Sequence, residues 1–313
     1  MSNLDEIRGH IEDQEKNDSG FGTSFTSADV RLMNPNGTLN VKIHGMERWK
    51  RFNLYKELIK LKTWQFYFAL LMIYVVLNLG FAIGYYLIGM KGLTTPYTEV
   101  RFLDVFFFSM QTFTTVGYGH ISPNSLSANI LSSLEAFFGL LYFAVATGLV
   151  YGRFSNSKAD VRFSDKLLIT KSKGEDVLMI RLANVSTVEL SDLNAEIIMS
   201  WIEKVNGAPI RSYRKLDLEL ESINLLTTSW TIVHKISETS PCQIMNGSSN
   251  YTGLEFMVFV SAFDEVYDQQ VKVRTSYVDK DLVKNVKFVP ITSYHSKSAV
   301  VNLDLLSKYE ELT

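Results

Sequence analysis

Residues 64 to 88, WQFYFALLMIYVVLNLGFAIGYYLI, form a run of twenty-five positions without one charged side chain. As a helix rising 1.5 Å per residue the run reaches roughly 37 Å, enough to cross a ~30 Å hydrocarbon layer with some tilt. Trp64, Tyr67, Tyr85 and Tyr86 stand near its ends, where amphipathic rings favour the membrane interface. A soluble core seldom needs a buried helix of this length, so the run predicts a transmembrane span. A second span is expected from 124 to 152, with Glu135 its one acid.

Charge is distributed accordingly. Between Trp64 and Gly152 the only charged residues are Lys91, Glu99, Arg101, Asp104 and Glu135, whereas the chain beyond Arg153 has the ordinary mixture of a soluble domain. A net charge of −2 gives no electrostatic footprint for nucleic acid, and 46% hydrophobic residues exclude a disordered chain. Before the first span, Arg48, Lys50, Arg51, Lys56, Lys60 and Lys62 interleave with Trp49, Phe52, Tyr55, Leu58 and Ile59. That pattern predicts a basic amphipathic helix lying in the headgroup layer, its cations toward anionic lipid. Arg153 and Lys158 follow the second span and are candidates for the same contact. Positive charge on both outer flanks, with little between the spans, places both termini in the cytoplasm of a multi-pass protein of the cell membrane. The first twenty residues lack the basic start and apolar run of a signal peptide.

The stretch between the spans, VRFLDVFFFSMQTFTTVGYGHISP over residues 100 to 123, carries the chemistry. Its apolar first half is too short to span but long enough for a re-entrant helix. Thr115-Val116-Gly117-Tyr118-Gly119 follows at once. Irregular backbone at membrane depth is tolerated only where protein encloses it or it lines a polar path. A potassium ion entering a narrow path must exchange its water for stacked rings of oxygen. The carbonyls of Thr115, Val116, Gly117 and Tyr118, with the Thr115 hydroxyl, supply one strip of such a ladder. Gly117 and Gly119 permit the backbone angles that turn successive carbonyls toward one axis. One chain provides a quarter of each ring, so the reading requires three further identical subunits. K+ is then the permeating ion, and no cofactor is called for.

With these residues the sequence resembles the prokaryotic inward-rectifier (Kir-type) potassium channels. FFFSMQTFTTVGYGHISP is similar to that family's pore helix and filter, and ATGLVYGRFS to the end of its inner span. LMIRLAN, SWTIVHKISETSP and VKVRTSY resemble segments of its cytoplasmic domain, and the likeness runs from about Arg31 to about Asp304. The resemblance implies two transmembrane helices with a re-entrant pore helix and filter, followed by a cytoplasmic immunoglobulin-like β-sandwich. The corresponding division is a flexible tail over 1–45, an interfacial slide helix over 46–62, a pore domain over 63–153 and the sandwich over 154–313. Within the pore domain the outer helix covers 64–88, the pore helix and filter 101–120 and the inner helix 124–152.

The resemblance also assigns roles. Phe143 and Tyr151 match bulky side chains that narrow the pore at the inner-helix crossing, a hydrophobic constriction that gates by dewetting. Gly139 is a candidate hinge. Tyr267, Asp268 and Gln269 fall in a stretch, 263 to 270, that resembles a flexible loop of the cytoplasmic pore. Gln111 stands where many members carry a glutamate paired with an arginine after the filter, and no arginine closely follows Gly119 here. Glu135 either draws cations into the cavity or hydrogen-bonds behind the filter. The acid of strong rectifiers aligns with Ala136, one residue on, which favours the structural role.

Period-two runs at 167 to 171, 177 to 183, 195 to 202, 255 to 262, 271 to 278 and 285 to 291 predict strands. The clearest alternation is Leu216, Leu218 and Leu220 against Asp217, Glu219 and Glu221. Asn206-Gly207 and Asn246-Gly247 read as turns between strands. An enzyme has nothing to stand on: the five histidines are scattered, Cys242 is alone, and no nucleophile elbow or phosphate loop is present. Gly20-Phe21-Gly22 lacks the preceding strand and third glycine of a dinucleotide loop. The rival from another class, a β-sandwich binding module that uses the hairpin only as an anchor, leaves the re-entrant segment unexplained.

Overall fold

The computed structural model describes residues 30–42, 45, 53–96, 99, 101–155, 159–172, 174–186, 188–205, 208–247, 251–295 and 298–312. The chain forms two compact units, His44–Asn156 and a second assembled from the chain on either side of it.

The first unit is helical. A short helix α1 (Leu54–Lys60) is started by Asn53, whose side chain accepts from the Lys56 amide at 3.1 Å. The long helix α2 (Thr63–Ile88) ends at Gly89. Helix α3 (Phe102–Phe113) opens with the Asp104 carboxylate accepting from the Arg101 amide at 2.9 Å. Helix α4 (Leu126–Phe154) is capped by Ser125, whose hydroxyl accepts from the Ala128 amide. The two long helices are thus two residues or fewer from the spans expected at each end. Their buried residues form one stripe each: Phe66, Leu70, Asn78, Ala82 and Tyr85 on α2, and Ala128, Glu135, Gly139 and Leu149 on α4. The remaining faces expose Phe68, Leu71, Val76, Ile83, Leu134, Phe138 and Leu141. Apolar surface on that scale suits lipid or further subunits rather than water. A two-residue ladder of β1 (Leu93–Thr94) and β2 (Ser122–Pro123) ties the start of the connection to its end.

The second unit is a β-sandwich. One sheet has the order β11 (Gln269–Val278), β10 (Tyr251–Asp264), β6 (Leu190–Val205) and β7 (Ala208–Leu216), with β8 (Ser222–Leu225) also on β6. The other runs β12 (Leu282–Lys284), β4 (Leu167–Ser172), β5 (Glu175–Asn184) and β3 (Val161–Phe163), with β9 (Ser229–Lys235) also on β5. Leu178, Ile180 and Leu182 of one sheet meet Ile197, Met199, Phe256 and Val258 of the other in a single core. Two small ladders, β13 (Val286–Phe288) with β16 (Tyr309–Glu311) and β14 (Thr292–His295) with β15 (Ser298–Val301), complete the unit.

Three sequence expectations need correction here. The alternating stretch from 216 to 221 is not one strand but the link from β7 to β8, two strands of the same sheet, and it touches β9 of the other sheet on the way. Leu216 is the last residue of β7, paired with Ile197, while Leu218 bridges to His234 and the Glu219 amide donates to the Val233 carbonyl. His234 holds the corner, Nδ1 2.6 Å from the Asp217 carbonyl and Nε2 2.7 Å from Ser240 Oγ. Asn246-Gly247 closes the helical turn α5 (Ile244–Gly247), and Asn206-Gly207 lies outside the described residues.

The third correction concerns the expected tail. Residues 30–42 are docked on the sandwich: Leu32 and Met33 are buried among Ile198, Tyr213 and Met257. Their amides donate to the Glu255 carboxylate at 2.7 and 3.0 Å, and the same carboxylate faces Arg211 at 3.7 Å. Arg31 pairs with Asp281 at 3.4 Å. Buried amides need acceptors, and a carboxylate already present to balance a buried guanidinium supplies two.

Candidate functional site

Helix α3 delivers the pentapeptide. Its last turn ends with Thr114, whose amide and hydroxyl both donate to the Met110 carbonyl, at 3.1 and 2.7 Å. The chain then folds back, and the Gln111 carbonyl accepts from the amides of Val116 and Gly117 at 2.9 and 3.3 Å. Thr115, Gly117 and Gly119 have φ of 60°, 54° and 83°, while Val116 and Tyr118 between them keep negative φ. In an ordinary strand successive peptides face opposite ways. Alternating the hand of the backbone turns them the same way, which lines the amides on one edge and the carbonyls on the other. Glycine takes the left-handed positions at little cost. Thr115 does not, because a β-branched residue there is strained by roughly 1–3 kcal/mol. The sequence reading placed this freedom on Gly117 and Gly119 and missed Thr115. All five residues are exposed on the single chain.

Behind the pentapeptide is a closed polar cluster. Glu135 is fully buried, and Tyr85 donates to its Oε2 at 2.6 Å. The Ser109 hydroxyl bonds to Glu135 Oε1 and lies 3.0 and 3.2 Å from the main-chain and side-chain oxygens of Asn78. Asn78 Nδ2 donates in turn to the Tyr74 carbonyl at 2.8 Å. Glu135 thus joins α2, α3 and α4 rather than facing a cavity. Gln111 serves through its main-chain carbonyl. The sequence reading places Tyr85 at the membrane interface, whereas it is buried on Glu135, and it passes over Ser109 and Asn78, although a polar group inside an apolar run must find a partner at membrane depth.

Gly139 lies where α4 passes the end of α3. A Cβ there would sit 2.0 Å from the Phe113 carbonyl oxygen, so close approach alone accounts for glycine. Helix α4 runs unbroken through the position. Tyr74 and Tyr142 pack around Phe113 with ring centroids 5.6 and 5.7 Å away, and Tyr142 donates to the Leu70 carbonyl at 2.8 Å. Phe143 and Tyr151 are both exposed on α4, about 80° apart around the helix at 3.6 residues per turn.

The stretch 263 to 270 is a hairpin. Phe263–Asp264 and Gln269–Gln270 continue the β10–β11 ladder, leaving 265 to 268 as the turn. The Asp264 carboxylate accepts from the amides of Val266 and Tyr267 at 3.0 and 3.1 Å, Asp268 has φ 51°, and Gln269 pairs with Asp264. Tyr267 and Asp268 thus lie in a carboxylate-capped turn, and Gln269 opens the strand that follows it.

Of the basic residues read as lipid-facing, Arg48, Lys50, Arg51 and Lys158 lie outside the described residues. Arg153 is half-buried and bonded to the neighbouring helices. Its Nη1 donates to the carbonyls of Ile59 and Leu61 at 2.9 and 2.8 Å, its Nη2 to Thr63 Oγ1 at 3.2 Å, and its guanidinium lies over the Phe66 ring. The carbonyls at the end of α1 have no partner within their own helix, and Arg153 supplies one.

Two apolar helices around a re-entrant helix and a carbonyl-lined pentapeptide, joined to a β-sandwich, define an ion channel with an accessory soluble domain. Residues 65–156 match the family model described as Ion channel, and residues 161–313 match that of the inward rectifier potassium channel C-terminal domain. The chain is similar to the inward rectifier potassium channel Kirbac3.1 of Paramagnetospirillum magnetotacticum, 31% identical over 83% of this chain and 89% of that one. ATP-sensitive inward rectifier potassium channel 15 of Homo sapiens is 24% identical over 66% of this chain and 58% of its own length. The human channel 10 of the same description is 25% identical over 60% of this chain and 52% of its own. The chain therefore belongs to the inward rectifier potassium channel family, a family of membrane channels and not of enzymes.

Proposed function

We propose that this chain conducts K+ passively and selectively across the cell membrane as a homotetramer, through rings of carbonyls from Thr115, Val116, Gly117 and Tyr118. The observation that carries the reading is the alternating backbone of residues 115 to 119, anchored at its start by the Gln111 carbonyl. Four such strips around one axis replace the hydration shell of a dehydrated cation. The Glu135–Ser109–Tyr85 cluster fixes the helix that presents each strip. Phe143 and Tyr151 form the constriction at the cytoplasmic end of the inner helices. Both termini are cytoplasmic, a reading supported by residues 30–42 and the C-terminal strands folding into one unit on either side of two spans. With Glu135 occupied by Tyr85 and Ser109, no inner-helix acid is left to draw blocking polyamines, so rectification is weak. The basic residues ahead of the first span engage anionic lipid.

The test is uptake of a potassium analogue such as rubidium into liposomes holding the purified protein. Uptake that barium blocks, that sodium does not share and that Gly117→Asp abolishes is expected. Equal uptake of sodium, or flux indifferent to the substitution, overturns the assignment.

A further inference from the structure

The start of the pentapeptide hangs from the last turn of α3. The Met110 carbonyl accepts from Thr114, the Thr112 carbonyl from the Thr115 amide at 3.0 Å, and the Gln111 carbonyl from Val116 and Gly117. Ser109 ties the preceding turn to Glu135, but of residues 110 to 113 only Phe113 is buried. Its side chain stands four residues on from Ser109, on the same face of the helix, and is fully enclosed. Two tyrosines wall the socket. Tyr74 of α2 meets the Phe113 ring edge-on with centroids 5.6 Å apart, Tyr142 of α4 lies 5.7 Å away at 56°, and the two tyrosines are 6.1 Å from each other. These are the spacings of attractive aromatic pairs. Tyr142 is also tethered, because its hydroxyl crosses to α2 and donates to the Leu70 carbonyl at 2.8 Å. A hydroxyl in apolar surroundings has few acceptors, so this bond fixes which way the ring faces.

We infer that Tyr142 is a positioning residue for ion selection: its ring, tethered to Leu70, holds Phe113 and with it the turn that sets the carbonyl of Thr115. The inference rests on the reading of residues 115 to 119 as the filter. Helix α4 grips the end of α3 twice, by main chain at Gly139, where a Cβ would be 2.0 Å from the Phe113 carbonyl oxygen, and by the Tyr142 ring almost one turn later. Selection between alkali cations depends on how the carbonyl rings are sized and held. A freer turn therefore loses discrimination before it loses conduction. A cation bound in the rings favours the backbone form that binds it, so K+ restores part of the missing support. A side chain that only packed α4 against α2 would produce neither effect.

Rubidium and sodium uptake into liposomes holding the purified full-length protein tests this, with flux normalised to assembled protein. Tyr142→Phe removes only the tether, and Tyr142→Leu removes the ring as well. Both are expected to lower the rubidium-to-sodium ratio, Leu more than Phe. The fall should be about twofold to tenfold, the range that one aromatic pair or one hydrogen bond gives an equilibrium. Reconstitution in high rather than low K+ should restore part of the ratio in the variants and leave that of the parent unchanged. Tyr142→Phe nearly keeps the size of the parent side chain and carries the test alone if Tyr142→Leu does not assemble. A ratio unchanged in Tyr142→Phe refutes the inference, whatever Tyr142→Leu does. A loss that K+ does not relieve refutes it too, and marks a packing role. An altered open fraction in single-channel records, with parental selectivity, places Tyr142 with the gate and is a third refutation. A parent that takes up no rubidium, or sodium equally, is a different failure, that of the conduction proposal itself.

Discussion

Gly139→Ala introduces one methyl group where α4 crosses the main chain at the end of α3. The added Cβ would lie 2.0 Å from the Phe113 carbonyl oxygen and 2.9 Å from its carbon, where 3.0 Å is the practical floor for such contacts. The obstacle is backbone, not the flexible end of a side chain, so α4 and the end of α3 must separate by about 1 Å. Overpacking of this kind costs about 1–3 kcal/mol, against which alanine recovers up to about 1 kcal/mol of helix propensity. The net loss is modest and the protein should still fold, but the displaced end of α3 stands two residues before Thr115. Rubidium uptake normalised to assembled protein should fall at least tenfold, with poorer discrimination against sodium. Gly80→Ala is the matched control, since nothing lies within 4 Å of a Cβ there. It should leave flux unchanged and raise the thermal midpoint slightly. If Gly139→Ala conducts and discriminates like the parent, close packing at Phe113 does not support the filter. A change in open fraction with normal unitary conductance would instead restore the hinge role.

Three other perturbations have definite outcomes. Glu135→Gln keeps an oxygen for Tyr85 and a side chain of the same shape, so flux should stay within about twofold, whereas Glu135→Ala leaves the buried Tyr85 hydroxyl without its acceptor, at about 1–3 kcal/mol, opens a cavity among α2, α3 and α4, and should lower flux severely while Ser109 keeps Asn78; equal losses in both variants would return Glu135 to the role of a cavity charge. Glu255→Ala removes the carboxylate that faces the buried Arg211 charge and the acceptor of two amides, so the sandwich should lose about 3–5 kcal/mol by denaturant titration and limited proteolysis should cut within residues 30–42; unchanged protection of that segment would contradict its docking. Burial holds the His234 imidazole below its ordinary value of 6.5, so the unfolded chain takes up the proton first and stability should fall as pH drops below about 6.5. The fall continues down to the folded-state value, and thermal melts of His234→Gln should lack that part of the slope; parallel slopes would exclude His234 as its source.

Legibility in the sequence followed the range of the interactions. The spans and the re-entrant helix could be read because absence of charge over a stretch is a local property, and α3 occupies the apolar half of its loop. Gly117 and Gly119 announced left-handed backbone because few other residues take it readily, whereas Thr115 gives no such sign. The intramolecular bonds of Arg153 gave no sign in the sequence, because two of its acceptors are main-chain oxygens some ninety residues away that no side chain advertises. The leucines from 216 to 220 alternate as a strand would, yet the first and second of them serve different sheets. Residues 30–42 lack periodicity because only Leu32 and Met33 are buried there and the rest of the docking runs through Arg31 and main-chain groups, which nearly every residue type carries.

The partner of Leu32 and Met33 also sets an order of events. Glu255 follows them by more than two hundred residues, beyond both membrane passages and most of the sandwich. A ribosome exposes the early segment long before its acceptor exists, and closing so long a loop is slow. A segment synthesised before the spans must therefore settle after β10 has emerged. Until then its amides stay hydrated, and Arg211 and Glu255 can reach their final burial only when residues 32–33 and β10 meet.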